Sequence, residues 1–315
     1  MFGEIIMRTK KAPAYLASVI RSAIYGSSVL FTGRLLQTVD GFDVLALRFF
    51  ITAAAFLILG AFKVVDLGFL KKKEVLLLIP TALFEPVLYF IFETFGIAGT
   101  TAIVAGLIFA TTSVFTMLFE TLILGERTTS LQKGFMFLRI SGAVIVVFAA
   151  GGGGKNTVFG VVCAFMAAIS GALFCVFSRK SSESFGSMEI TCFTSFSGFI
   201  VFNAINVCRH ISGGTLHGYF SPLFDRELIV GFLFLSLLSS ILATALNNFS
   251  FSRIQASLVS ALGGLSTVFT MALGVFVNGE KLGLLHLISA ALLILGGVGM
   301  NMVPDANSKD KEVAV

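Results

Sequence analysis

Ten runs of about twenty apolar residues follow one another along the chain, separated by short polar breaks. Their limits are 14–33, 44–64, 75–95, 99–123, 134–150, 158–178, 188–207, 228–250, 255–278 and 283–303. A run of that length and apolarity matches the hydrocarbon thickness of a bilayer when wound as a helix. With no water in the bilayer core, the backbone must satisfy its own hydrogen bonds, so the runs are predicted to be transmembrane helices. Composition agrees. Charged residues make up 12% of the chain, 56% is hydrophobic and the mean hydropathy is +0.97. A water-facing domain carries about 25% charged residues. The fold class expected is therefore an all-α membrane protein whose partner is the lipid bilayer.

Lysine and arginine placement sets the orientation, because short cytoplasmic loops collect them. With ten helices both termini share one side. That side holds fourteen of the 22 basic residues, including Arg8, Lys10, Lys11, Lys71, Lys72, Lys73, Arg127, Arg179 and Arg253, and the other side holds five. Both termini are thus predicted to be cytoplasmic, in a plasma (inner) membrane. The remaining three, Arg21, Arg48 and Arg139, fall inside helices or at their ends. Arg48 is expected at the extracytoplasmic mouth, and Arg139 is expected to snorkel to the cytoplasmic surface. The basic residues form no stripe, so no nucleic-acid partner is implied.

The two halves of the chain repeat each other. Val114-Phe115-Thr116-Met117 recurs as Val268-Phe269-Thr270-Met271, and each is followed at equal distance by a Gly-Glu pair, Gly125-Glu126 and Gly279-Glu280. The same offset of 154 residues aligns Phe95 with Phe249, Ala102 with Ala256 and Ala110 with Gly264. The organisation expected is a first five-helix repeat over 1–150, a Gly-rich connector over 151–157, a second repeat over 158–303 and a polar tail over 304–315. Five is odd, so the second half enters the membrane inverted. Two inverted repeats enclose a site near the midplane that rocking can open to either side.

These residues resemble the EamA-type repeat of the drug/metabolite transporter superfamily. The resemblance is carried by Gly106 to Met117 running on to Gly125-Glu126, by its twin Ala261 to Glu280, and by the Gly-rich fifth and tenth helices from Ile140 and Ile288. Tyr25-Gly26 and Ala46-Leu47-Arg48-Phe49 also fit. It implies ten helices, cytoplasmic termini, a central cavity and transport of amino acids or related metabolites, often outward. Family members often carry Pro before the Val-Phe position of helices four and nine. Here Ser113 and Thr267 stand there, which leaves a kink open, since Ser and Thr bend helices less sharply.

Polar residues inside the spans are the site candidates, because an ionisable group there is costly. Helix one offers Arg21, Tyr25, Ser28 and Thr32. Helix three offers Thr81, Glu85, Tyr89 and Glu93, spaced by four and so expected on one face. Helix four offers Thr112, Thr116 and Glu120. Helix eight offers Ser236, Ser240, Thr244 and Asn248 with Asn247 beside them, and helix nine offers Ser266 and Thr270. All are expected to point at one central pocket. Arg21 or the Asn pair would hold a polar group of a small-molecule substrate. Glu85, with Glu120 as a second candidate, would carry a proton. The alternative reading has Arg21 snorkelling toward the cytoplasm or pairing with Glu85 to hold helices together, and the Ser/Thr/Asn stripe as interhelical glue.

No cofactor and no metal are expected. Cys163, Cys175, Cys192 and Cys208 lack metal-ligand spacing and read as small buried hydrophobes. Gly151 to Lys155 lacks the first Gly and the final Ser/Thr of a phosphate loop, and no hydrolase or protease motif occurs. The reading is a secondary transporter rather than an enzyme. Alternatives are a nucleotide-sugar or other organic-anion carrier, a lipid-modifying intramembrane enzyme and a passive channel. Gly296, Gly297 and Gly299 permit close helix contact, within the chain or in a homodimer.

Overall fold

A computed structural model describes residues 2–302 apart from 64, 66, 72, 126–128 and 151–155. The first connector glycines, Glu126 and the carboxyl-terminal tail therefore lie outside the described residues. Each of the ten apolar runs falls on a helix. Numbered along the chain, the spans are α1 (Lys11–Leu35), α2 (Gly41–Ala61), α3 (Glu74–Ala98), α4 (Ala102–Leu124), α5 (Ser130–Ala150), α6 (Val158–Ser181), α7 (Ser187–Gly213), α8 (Arg226–Phe251), α9 (Ala256–Gly263 continued by Leu265–Asn278) and α10 (Leu284–Met302). Nine are long and apolar enough to cross a membrane, and the apolar part of α10 is slightly shorter. Among the described residues there are no strands.

Local chemistry starts and stops these helices. Side chains of Asp40, Thr101, Thr157 and Asp225 accept from first-turn amides of α2, α4, α6 and α8, satisfying donors that no intrahelical carbonyl reaches. Gly125 and Gly279, equivalent in the two repeats, end α4 and α9 at φ values of 68° and 66°, a conformation in which a Cβ is disfavoured. The Glu280 that follows turns back, and its two carboxylate oxygens accept from the amides of Ala102 and Ile103, both at 2.9 Å. At the other end of the α4–α9 pair, Glu120 accepts from the amide of Ala256 at 2.8 Å. Each helix N-terminus is thus met by a carboxylate from its repeat partner, where the dipole favours negative charge. Glu280→Ala is expected to cost about 1–2 kcal/mol through the lost cap, seen as a lower melting temperature in detergent.

The helix contacts have the symmetry of the repeat. Helix α2 packs on α7, α4 on α9 and α5 on α10, each on its own counterpart, while α1 lies against α8 and α9 as α6 lies against α3 and α4. Exchanging the halves maps this set onto itself, as a pseudo-twofold between inverted repeats requires. Small residues set the closest crossings. Gly296, Gly297 and Gly299 face Phe135 and Arg139 of α5, so their space is used within the chain.

Four central helices are interrupted, and they form two repeat pairs. In α3, Glu85 leaves the helical region (φ −142°, ψ 119°) ahead of Pro86, whose ring cannot continue the hydrogen-bond ladder. Its counterpart α8 is widened over Phe234–Ala243. In α4 the ladder tightens at Thr111, whose amide bonds Ile108 at 2.9 Å, and in α9 at Gly264, whose amide bonds Ala261 at 3.1 Å. The kink that the sequence left open is thus present as a short tight turn at equivalent places, without proline.

Arg139 does not snorkel. It is fully buried, and its Nη2 donates to the Ala110 carbonyl at 2.6 Å, at the α4 interruption. A cation near the last carbonyls of the half-helix Ala102–Phe109 meets the negative end of its dipole. Cys163, Cys175 and Cys192 are buried as expected, whereas Cys208 is exposed on the outer side of α7.

Candidate functional site

The interruptions surround a central cavity of about 100 Å³. Helix α1 contributes Arg21, Tyr25 and Ser28. Helix α3 contributes Glu85, Tyr89, Phe90 and Glu93, and α4 contributes Gly106, Phe109 and Thr112. Helix α6 adds Gly171, Phe174 and Cys175, helix α8 adds Ser239 and Asn247, and α9 adds Ser260, Gly263, Ser266 and Thr270. Of the candidates read from sequence, Arg21, Tyr25, Ser28, Glu85, Tyr89, Glu93, Thr112, Asn247, Ser266 and Thr270 meet here.

Arg21 reaches the broken part of α9. Its Nη2 donates to the Val259 carbonyl at 2.5 Å, and Gly263 leaves the room this needs, since a Cβ there would stand 3.0 Å from Nη2. One hydrogen bond uses one of five donors. Among the described residues the Nε of Arg21 is buried without a partner, as is the Oδ1 of Asn247, so the cavity wall holds polar capacity that these residues leave unfilled. Tyr25 and Thr244 share a hydrogen bond of 3.1 Å. Tyr89 donates to Glu93 Oε1 at 3.0 Å. Glu85 is different: turned out of the helix, it makes no hydrogen bond to a described residue, and it borders both the cavity and a small recess beside Thr194, Ser195, Ser240 and Thr244.

Other candidates have structural partners. Thr116 bonds the Thr112 carbonyl at 2.8 Å and Ser260 at 3.0 Å, behind the wall. Ser240 and Thr244 border the recess and not the main cavity. Asn248 faces away: Ser178 donates to its Oδ1 at 2.8 Å, and its Nδ2 donates to Thr191 at 2.9 Å, tying α8 to α6 and α7. Asn248→Leu strands the buried Ser178 hydroxyl, which costs about 1–3 kcal/mol, while Thr191 keeps its own bond to the Ser187 carbonyl at 2.7 Å. The expected result is a protein of lower thermal stability whose surviving fraction binds substrate with unchanged affinity. Glu120 is engaged at the α9 amino terminus, outside the cavity. The α3 candidates do not lie on one continuous face, because Glu85 breaks the helix. Thr81 instead shares a 3.1 Å hydrogen bond with Ser181 of α6.

Arg48, like Arg139, lies deeper than the sequence reading placed it. Helix α2 begins at Gly41, so Arg48 sits about 10 Å along the helix from its start at 1.5 Å per residue. It is buried, with Nε donating to Ser240 at 2.8 Å and Nη2 to Ser239 at 3.1 Å, and its guanidinium lies 4.2 Å from the Phe90 ring centre. Because Ser239 and Phe90 line the cavity, Arg48 shapes the wall from behind. The earlier start of α2, capped by Asp40, was the signal that would have placed it.

A bundle of two helical repeats closed around a polar cavity is the build of a transporter. The chain belongs to the EamA-like transporter family, whose model matches it twice, over residues 12–148 and 158–302. It is 35% identical over 305 residues to the uncharacterized transporter YcxC of Bacillus subtilis (strain 168), covering 96% of this chain and 97% of that one. A second relative, the uncharacterized transporter YetK of the same organism, is 26% identical over 205 residues, covering 64% of this chain and 61% of its own length. A solved crystal structure superposes with a TM-score of 0.62 at 19% identity, over 90% of this chain and 99% of that chain, a likeness of fold alone.

Proposed function

We propose that the protein carries a small polar metabolite, an amino acid or a related compound, outward across the plasma membrane by alternating access, with both termini in the cytoplasm and a proton as coupling ion. One observation carries this reading. The cavity presents a guanidinium with unused donors, Arg21, together with a carboxyl that makes no hydrogen bond to a described residue, Glu85. A solute bearing both an amino and a carboxylate group finds a partner for each, and Glu85 is open to exchange a proton with the cavity. The excess of lysine and arginine on the side of the termini supports the orientation. A carrier of larger organic anions such as nucleotide sugars would gain from a second exposed cation, and Arg48 is held behind Ser239 and Ser240.

The experiment is uptake into proteoliposomes across a panel of amino acids, other small metabolites and nucleotide sugars, with and without a proton gradient. The expected result is saturable, gradient-dependent flux of zwitterionic solutes. Arg21→Gln removes a charge-assisted contact worth about 1.5–3 kcal/mol and is expected to raise KM for a carboxylate-bearing substrate at least about tenfold. Flux confined to nucleotide sugars, or insensitivity to Arg21→Gln, would refute the reading.

A further inference from the structure

Outside the central cavity lies an open hollow of about 330 Å³ on the lipid-facing side, in the groove between α1 and α8 beside the start of α7. We propose that it binds one anionic phospholipid, with an acyl chain in the groove and the headgroup phosphate at its end between Lys11 and Arg253.

The two helices run antiparallel here. Ser250 donates to the Ala14 carbonyl at 2.9 Å, and Tyr25 meets Thr244 at 3.1 Å. Pro13 and Phe249 therefore mark one end of the groove and Ile20 and Leu242 the other. The walls are almost wholly apolar, with Ala245 on the floor and Ser187 as the single hydroxyl. Among the described residues, exposed cations flank the groove at the Pro13–Phe249 end. Lys11 is exposed two residues before Pro13, and the exposed Arg253 lays its guanidinium 3.8 Å from the centre of the Phe249 ring. Neither forms an ion pair with a described residue. The acid on the first turn of α7, Glu189, is occupied by the Gly186 amide at 2.7 Å. An apolar slot with uncompensated positive charge at one mouth has the shape and charge order of a phospholipid, tail inward and phosphate outward. A second copy of the chain fits less well, because a twofold contact brings the same patch of both copies together, setting Lys11 and Arg253 against their own likes.

The test is lipid retention by the purified full-length chain in detergent, read by native mass spectrometry, with phosphatidylglycerol and phosphatidylcholine of identical acyl chains as probes. Each basic residue near a headgroup favours an anionic lipid by about fivefold. Wild type is expected to retain phosphatidylglycerol at least about tenfold better. The double variant Lys11→Gln/Arg253→Gln is expected to bring the two lipids to near parity. Ala245→Trp, which fills the groove, is expected to remove retention of both. Equal retention by wild type, or a preference that survives the double variant, would overturn the proposal. So would loss of a dimer mass in Ala245→Trp, which would make the groove a protein interface. Should Ala245→Trp fail to fold, the surface double variant still decides.

Discussion

Glu85→Gln is expected to reduce proton-gradient-driven accumulation to the level of empty liposomes while leaving exchange of internal for external substrate in place. Gln has the shape of the protonated acid and cannot release a proton. A carrier locked in that state still binds its solute and reorients, but no longer returns a proton with each cycle. The prediction follows from the geometry around Glu85. Its backbone leaves the helix at φ −142°, its carboxyl has no hydrogen-bonding partner among the described residues, and it borders both the cavity and the recess beside Ser195. Glu93 is the control: it also lines the cavity but is held by the Tyr89 hydroxyl at 3.0 Å. Glu93→Gln keeps an acceptor for that hydroxyl and is expected to lower the rate without removing the dependence on the gradient. Equal losses for the two variants would assign the effect to packing.

The second large effect is structural. At Gly26 a Cβ would stand 2.5 Å from the Ser266 carbonyl oxygen and 2.6 Å from Phe269 Cβ, and the Gly26 carbonyl accepts from Thr270 at 3.0 Å. Here α1 and α9 touch backbone to backbone next to the cavity wall, so neither can yield by turning a side chain. Gly26→Ala is expected to cost about 1–3 kcal/mol or more through overpacking, and Gly26→Val to abolish folded expression. Gly134 of α5 has no atom within 4 Å of the corresponding position. There Gly→Ala should be neutral or stabilising by up to about 1 kcal/mol, the ordinary helix-propensity gain. Thermal unfolding monitored by fluorescence-detected size exclusion separates the two.

The spans were legible because lipid imposes a single rule of length and apolarity, and the repeat was legible because Gly125 and Gly279 perform the same left-handed stop. The site was legible in part. Polar residues at helical spacing do mark inward faces, and Arg21, Tyr25, Glu85 and Ser266 meet as their stripes suggest. Spacing does not distinguish a hydroxyl that looks into a cavity from one that bonds a neighbouring helix, so Thr116 and Asn248 read like Thr112 and Asn247 although they hold helices together. Depth was the other difficulty. Arg48 and Arg139 were assigned to the membrane surface from apolar limits that began too late, at 44 and 134, whereas the helices begin at Gly41 and Ser130. Pro86 stood in the third run throughout and was the available signal for the break that frees Glu85.

The central claim is that the cavity lined by Arg21, Glu85 and Ser266 is the path of the solute and opens to both sides in turn. Its most direct test is a single cysteine, Ser266→Cys, in a chain whose four native cysteines are replaced by Ala, labelled with a membrane-impermeant maleimide in right-side-out and inside-out vesicles. Labelling from both faces, slowed from both by a transported solute, is the expected result. Labelling from neither face, or reactivity indifferent to every transported solute, would contradict it.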